Sequence, residues 1–207
     1  MTGPAIAEVF AGLRGAGLRA AAYVSATGSA GTIAAIDDED CLRLARLFNE
    51  PAGRDHLASL GVTTRQIRRL RLLGISSVCN LLAAIKTAKH FELDGNDVIF
   101  TVFTDSMQLY QSRLAELRTQ CGAYTRRAAI ADFAGPLAHQ GFDNFKELSH
   151  PDRKAIHNLK YYTWVDQQGK TPAELNAQWQ PEYWRALFDD EVAHFDRLII
   201  SFNGPAT

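Results

Sequence analysis

The sequence predicts an α/β protein: a small, mostly parallel sheet with flanking helices, followed by a helical C-terminal extension. Three observations predict it. Val98-Ile-Phe-Thr-Val-Phe103 is a continuous apolar run of strand length, as in a parallel strand covered on both faces. A second short apolar run, Ala20 to Ser25, lies between a helix pattern and a turn rich in Gly, Ser and Ala. Beyond Gly122 the patterning is helical throughout, so residues 1–122 read as the α/β part and 123–207 as the extension.

The first helix spans Pro4 to Gly15, with Ile6, Val9, Phe10 and Leu13 at helical spacing and Pro4 at an early helical position. Strand Ala20–Ser25 follows, and then the turn Ala26–Thr32. Gly31-Thr-Ile-Ala-Ala is expected to open a helix. A strand, a small-residue turn and a helix N-terminus make an anion cradle, because unpaired N–H groups and the helix dipole face the ligand. Gly28 and Gly31 permit positive φ and close approach of backbone to phosphate. A tight turn with no ligand uses the same residue types.

Asp37-Asp-Glu-Asp40 is a helix start, since acidic side chains favour the first turn; it reads as a cap and a solvated face, not a metal site. That helix runs through Cys41–Phe48 and stops before Pro51. Pro51 to Leu60 is another, closed by Gly61, and Thr63 caps a third over Arg65 to Leu73. The arginines Arg65, Arg68, Arg69 and Arg71 read as a solvated face. The turn Gly74-Ile-Ser-Ser77 precedes a long helix, Val78 to Phe91. Strand Val98–Phe103 ends at Thr104-Asp-Ser106 and enters a helix, Met107 to Gln120. Further helices are predicted over Arg126–Ala138, Pro151–Gln168, a stretch begun by the capping box Thr171-Pro-Ala-Glu174, and Pro181–Phe202. The aromatic stripes of the last helices, with Trp164, Trp184 and Phe195, read as core, and His157 and His194 as structural.

Composition narrows the function. A chain of 207 residues, 46% hydrophobic and 22% charged, can bury a real core. A net charge of −1 argues against a protein whose whole surface is built for nucleic acid or membrane. Three widely spaced cysteines, Cys41, Cys79 and Cys121, suggest neither a disulfide framework nor a zinc knuckle. There is no signal-peptide pattern and no apolar run near ~18 residues, so a cytoplasmic protein is expected.

The turns Ala26–Thr32, Gly74–Ser77 and Thr104–Ser106 each lead into a predicted helix, and the first and third follow strands. Ligands of open α/β sheets bind outside the carboxyl ends of the strands, so the three can line one crevice. In order and style, Thr27-Gly-Ser-Ala-Gly-Thr32, Gly74-Ile-Ser-Ser77 and Thr104-Asp-Ser-Met-Gln-Leu-Tyr110 resemble the fold-type II pyridoxal-phosphate enzymes. These include cysteine synthase, cystathionine β-synthase and the tryptophan synthase β chain. His157-Asn-Leu-Lys-Tyr-Tyr-Thr-Trp164 and Gln168-Gly-Lys-Thr171 look like one tryptophan-synthase-β-like subfamily, so the resemblance covers nearly the whole chain.

The resemblance implies a partial tryptophan synthase β-like fold and pyridoxal 5'-phosphate as cofactor. The phosphate would be held by Gly28, Ser29, Ala30, Gly31 and Thr32, with Gly74 in the second segment and Ser106 hydrogen-bonding the pyridine nitrogen. Asp105 is the second choice for that nitrogen. The implied chemistry is β-elimination or β-replacement on a small amino-acid substrate. The family's Schiff-base lysine and its loop for the substrate carboxylate belong to an earlier domain that nothing here matches. None of Lys86, Lys89, Lys146, Lys154, Lys160 and Lys170 sits in a family-like motif, so no catalytic residue is assigned. Family strands are also missing between the phosphate loop and the acidic helix. A homo-oligomer, or pairing with a full-length homologue, is the implied assembly; alternatives are an inactive phosphate-binding module and an interaction protein.

Overall fold

The acidic run at Asp37–Asp40 fixes the centre of the fold. In the computed structural model, which describes residues 2–24 and 32–204, Asp37 accepts from the Glu39 N–H and starts helix α2 (Asp38–Asn49). Before it come helix α1 (Thr2–Gly15), strand β1 (Arg19–Val24) and strand β2 (Thr32–Ala34). After it come α3 (Pro51–Ser59), α4 (Thr64–Leu70), α5 (Ile75–His90), β3 (Asp97–Thr101), α6 (Gln111–Cys121), α7 (Arg126–Asp132) and β4 (Phe145–Glu147). A 3-10 turn, Met107–Tyr110, leads into α6, and a π-helical turn containing Pro136, Phe133–Ala138, follows α7.

The molecule is a mixed α/β protein dominated by helix. Contacts divide it into two compact units, Met1–Leu148 and Ser149–Thr207. α7 and β4 lie in the first, beyond the position-122 limit predicted for the α/β part.

Within unit 1, β1 and β3 pair in parallel, from Arg19 against Asp97 to Val24 against Thr101, with an irregularity between Ala20 and Ala22. β2 and β4 form a separate antiparallel pair, Thr32 opposite Glu147 and Ala34 opposite Phe145. The helix predicted to open at Gly31 is therefore not formed: Thr32–Ala34 is strand. Only Ala35 and Ile36 separate this segment from the Asp37 cap, which leaves no room for a helical turn. The β-branched Thr32 and Ile33 favour extended backbone, and Ala35 N–H continues the pairing by donating to Asn144 O at 3.0 Å.

The core of unit 1 sits where α2 meets α5, α3 and α7. Cys41, Leu44, Leu47, Phe48, Leu57, Val78, Leu82 and Ala129 are fully buried there. α2 turns into α3 around Pro51, and Gly53 lies hard against the end of α2: a Cβ there would stand 2.1 Å from the Leu47 carbonyl oxygen. Two carboxylates at the margin are paired. Glu50 accepts from Arg118 at 2.8 Å, and Asp132 accepts from Arg43 at 2.7 Å and Tyr124 at 2.8 Å. α4 starts with a complete Thr63/Gln66 capping box.

Unit 2 begins with α8 (His150–Asn158), capped by a Ser149/Asp152 box, and α9 (Tyr161–Trp164). α10 (Pro172–Ala177) starts with the predicted Thr171/Glu174 box. α11 (Pro181–Ala186), a π turn (Leu187–Glu191) and α12 (Val192–Phe202) follow one another directly. The predicted helix Pro151–Gln168 breaks after Asn158. His157 is buried, bonds Leu175 O at 3.0 Å and sits edge-on to Trp179, so it ties α8 to α10. The expectation that the final stripe is core is overturned. Trp184, Phe188, Phe195, Leu198, Ile199 and Phe202 are all exposed, Phe202 to 90%.

Candidate functional site

The candidate site is built where α5 starts and β3 ends. Gly74 caps α5 in extended backbone, and its N–H donates to Asp105 O at 3.2 Å. Ser77 Oγ donates to the Asp105 carboxylate at 3.1 Å, and Ser76 Oγ to the other carboxylate oxygen at 3.2 Å. The Tyr110 hydroxyl donates to that second oxygen too, which pushes the phenol above its usual pKa. Three hydroxyls thus converge on Asp105. Asn80 adds a bond from its side-chain amide to Val102 O at 2.8 Å, holding the chain as it leaves β3.

Gly74 is required here. A Cβ would stand 2.3 Å from Asp105 Oδ1, so any side chain would push the carboxylate out of its bonds. Its N–H is already spent on Asp105 O, so it contributes close approach, not an anion-binding donor.

Ser106 caps the 3-10 turn by accepting from Gln108 N–H at 3.3 Å. Accepting leaves its own O–H free to donate. The neighbouring Asp105 carboxylate is instead engaged by three hydroxyl donors.

Of the residues the sequence singles out, Gly74 and Ser106 are brought together, flanking Asp105. Thr32 is placed in β2, in a different sheet from the one whose end carries Ser106. Gly28, Ser29, Ala30 and Gly31 lie outside the described residues. The parallel pair sets Val24 beside Thr101, so β1 ends at the same end of the sheet as β3, the strand that precedes the Thr104–Ser106 turn.

No lysine reaches this site from α5. Lys86 follows Ser77 by nine residues, about 13 Å along a helix. Its side chain, 4% exposed, donates to Ala35 O at 2.8 Å and Asp143 O at 2.9 Å, with the Asp143 carboxylate at 3.7 Å. Lys86 instead borders a polar cavity of about 490 Å³, with Asp37, Asp40, Arg43, His139 and Asp143. Sequence reasoning missed this cavity and the role of Tyr110. Partners 5 to 57 residues apart carry no local pattern, although a Tyr at the far end of Thr104–Tyr110 was a usable cue.

No known protein family, curated protein or solved structure matches the chain. Among the described residues no single helix is long and apolar enough to cross a membrane.

Proposed function

We propose that unit 1 is the cofactor-holding part of a pyridoxal-phosphate enzyme of the tryptophan synthase β and cysteine synthase kind, a partial version of that fold. The observation that carries the reading is the clasp of Gly74, Ser76 and Ser77 onto Asp105 at the carboxyl end of β3. That end is where open parallel sheets bind ligands. When bound, the cofactor supplies an electron sink for elimination or replacement at the β-carbon of an amino acid.

The chain's own residues hold and orient. Ser106 donates to the ring nitrogen, and as a neutral hydroxyl it leaves that nitrogen unprotonated. Asp105 fixes the turn through its three hydroxyl donors. Gly74 lets the start of α5 approach. The segment 28–32 is assigned the phosphate by resemblance alone, and since Thr32 is strand, it does so without a helix N-terminus at Gly31. No lysine serves as Schiff-base partner or base, so catalysis needs one from a partner chain such as a full-length homologue.

Titration with pyridoxal phosphate tests this. Saturable uptake with a shifted cofactor absorbance is expected, weakened several-fold in Ser106→Ala, and borohydride leaves no covalent adduct. Uptake that is absent, or unchanged in Ser106→Ala, overturns the reading.

A second reading, an interaction protein, is favoured by the exposed stripe on Pro181–Phe202. Six of its large apolar side chains, Trp184, Phe188, Phe195, Leu198, Ile199 and Phe202, fall within one face at helical periodicity. At roughly 100 Å² each, two copies facing one another would bury about 1,200 Å², the lower bound of a specific interface. A second copy of this chain is the proposed occupant. Sedimentation should show a dimer that Phe195→Asp with Ile199→Asp dissociates; a monomer at high micromolar concentration rules it out.

A further inference from the structure

The cavity beside Lys86 carries side chains of both charge signs and lies wholly within unit 1. The start of α2, the later part of α5 and the stretch between the π-helical turn and β4 form its walls, and no residue of the Asp105 turn lines it. Its volume of about 490 Å³ falls in the range of small-molecule sites, roughly 300–1,000 Å³.

One part of the wall is a buried cation with a donor to spare. Lysine is almost never buried to the 4% exposure of this side chain unless it is paired. Lys86 spends two of its three N–H donors on Ala35 O and Asp143 O. Its ion-pair partner among the described residues, the Asp143 carboxylate, stands at 3.7 Å, beyond hydrogen-bond reach, and is itself 70% exposed. Arg43 also keeps a free end. Its Nε donates to Asp132 and its Nη1 to Asp40, while Nη2 stands 3.5 Å from where a Cβ at Gly135 would be and has no acceptor among the described residues.

Other side chains on the wall accept. Asp37 uses one carboxylate oxygen on the Glu39 N–H, and Asp40 uses one on Arg43. The second oxygen of each has no donor among the described residues. His139 sets Nδ1 against Ala134 O, so that nitrogen carries the proton and Nε2 is left to accept. Three carboxylates thus border the cavity against two cations, a surplus of one negative charge. Among the described residues, no three His, Cys, Asp or Glu side chains converge closely enough to hold one metal ion. The acceptors are spread out, as a ligand with separate N–H groups requires.

We propose that this cavity binds a free cationic α-amino acid, arginine or lysine. The α-carboxylate takes the spare donors of Lys86 and Arg43. The α-ammonium and the side-chain cation take the free oxygens of Asp37 and Asp40. A ligand with one net positive charge cancels the surplus on the lining, which a neutral amino acid leaves uncompensated. Its carboxylate also gives the buried ammonium the hydrogen-bonded anion that the fold itself keeps out of reach. The site needs no cofactor and is independent of the role proposed for the Asp105 turn.

Isothermal calorimetry on the full-length chain, without pyridoxal phosphate, tests this with L-arginine and L-lysine. One equivalent should bind saturably to each chain. Agmatine and cadaverine, the decarboxylated counterparts, should bind about tenfold more weakly or worse, the loss of one charge-assisted hydrogen bond. So should L-citrulline, which keeps the shape of arginine without its side-chain charge. Asp40→Asn, at a side chain 30% exposed, should weaken L-arginine by about as much. No saturation by either amino acid into the millimolar range overturns the proposal. So does equal affinity for the decarboxylated or the citrulline analogue, or an Asp40→Asn chain that binds L-arginine as tightly as the original. The analogue titrations use the unaltered chain, so a variant that fails to fold does not obscure the result.

Discussion

Helices α2 and α12 are nearly equal in length, 12 and 11 residues, and both are strongly amphipathic. α2 buries Cys41, Leu44, Leu47 and Phe48 completely, whereas α12 buries nothing. The difference lies in what each meets. α2 is followed within two residues by α3 and packs against α5 and α7, whose apolar faces complement its own. α12 extends from α11 through a π turn with no buried side chain along the way. Apolar periodicity states which face of a helix needs cover; it is silent about what supplies the cover.

Truncation gives the largest contrast. Phe48→Ala should destabilise unit 1 by about 3–5 kcal/mol in urea denaturation, because it empties a closed site. Phe195→Ala should change the unfolding of the monomeric chain by less than about 0.5 kcal/mol. Equal costs would break the comparison, since α12 would then be covered in solution. Next in size is Gly74→Ala, expected to cost about 1–3 kcal/mol by crowding the Asp105 carboxylate. It should also weaken any binding that depends on Ser106.

Capping offers a control in which the two units should agree. Thr63→Ala in unit 1 and Thr171→Ala in unit 2 each remove a complete capping box and should each cost about 1 kcal/mol. A cap is satisfied within one helical turn, so surrounding burial matters little. Hydrogen exchange at the first turns of α4 and α10 would measure both.

The smallest expected effect is a drift of unit 2 with pH. Burial holds the folded His157 below its ordinary value of 6.5, against a weaker opposing pull from Leu175 O. As pH falls through 6.5 the unfolded chain takes up a proton that the folded chain still refuses, so stability is lost from there down to the lower folded value. Above 7 the contribution is fully present. Trp179 fluorescence should report this melting, and His157→Gln should flatten the drift between pH 7 and 5.5.

Elements set by neighbouring residues were legible in the sequence. The acidic start of α2, the boxes at Thr63 and Thr171, the stop at Gly61 and the apolar run of β3 each depend on contacts within a few positions. The strands β2 and β4 were not legible, because three residues are too few to establish an alternation and their pairing spans more than a hundred positions. The same limit applies to the site. Gly74 and Ser106 could be named from their turns, but the convergence of Ser76, Ser77 and Tyr110 on one carboxylate arises only when α5 packs along β3. Lys86 looked like one lysine among six, and only the fold shows its amine closed over by two carbonyls.

The elbow between α2 and α3 bears on how this chain tolerates change. At position 53 even a methyl group would collide with main-chain atoms that cannot step aside. A saturation library screened for soluble protein should therefore keep glycine alone at that codon. At Gly61, where φ is +87° and the space beyond is open, asparagine and aspartate should survive as well.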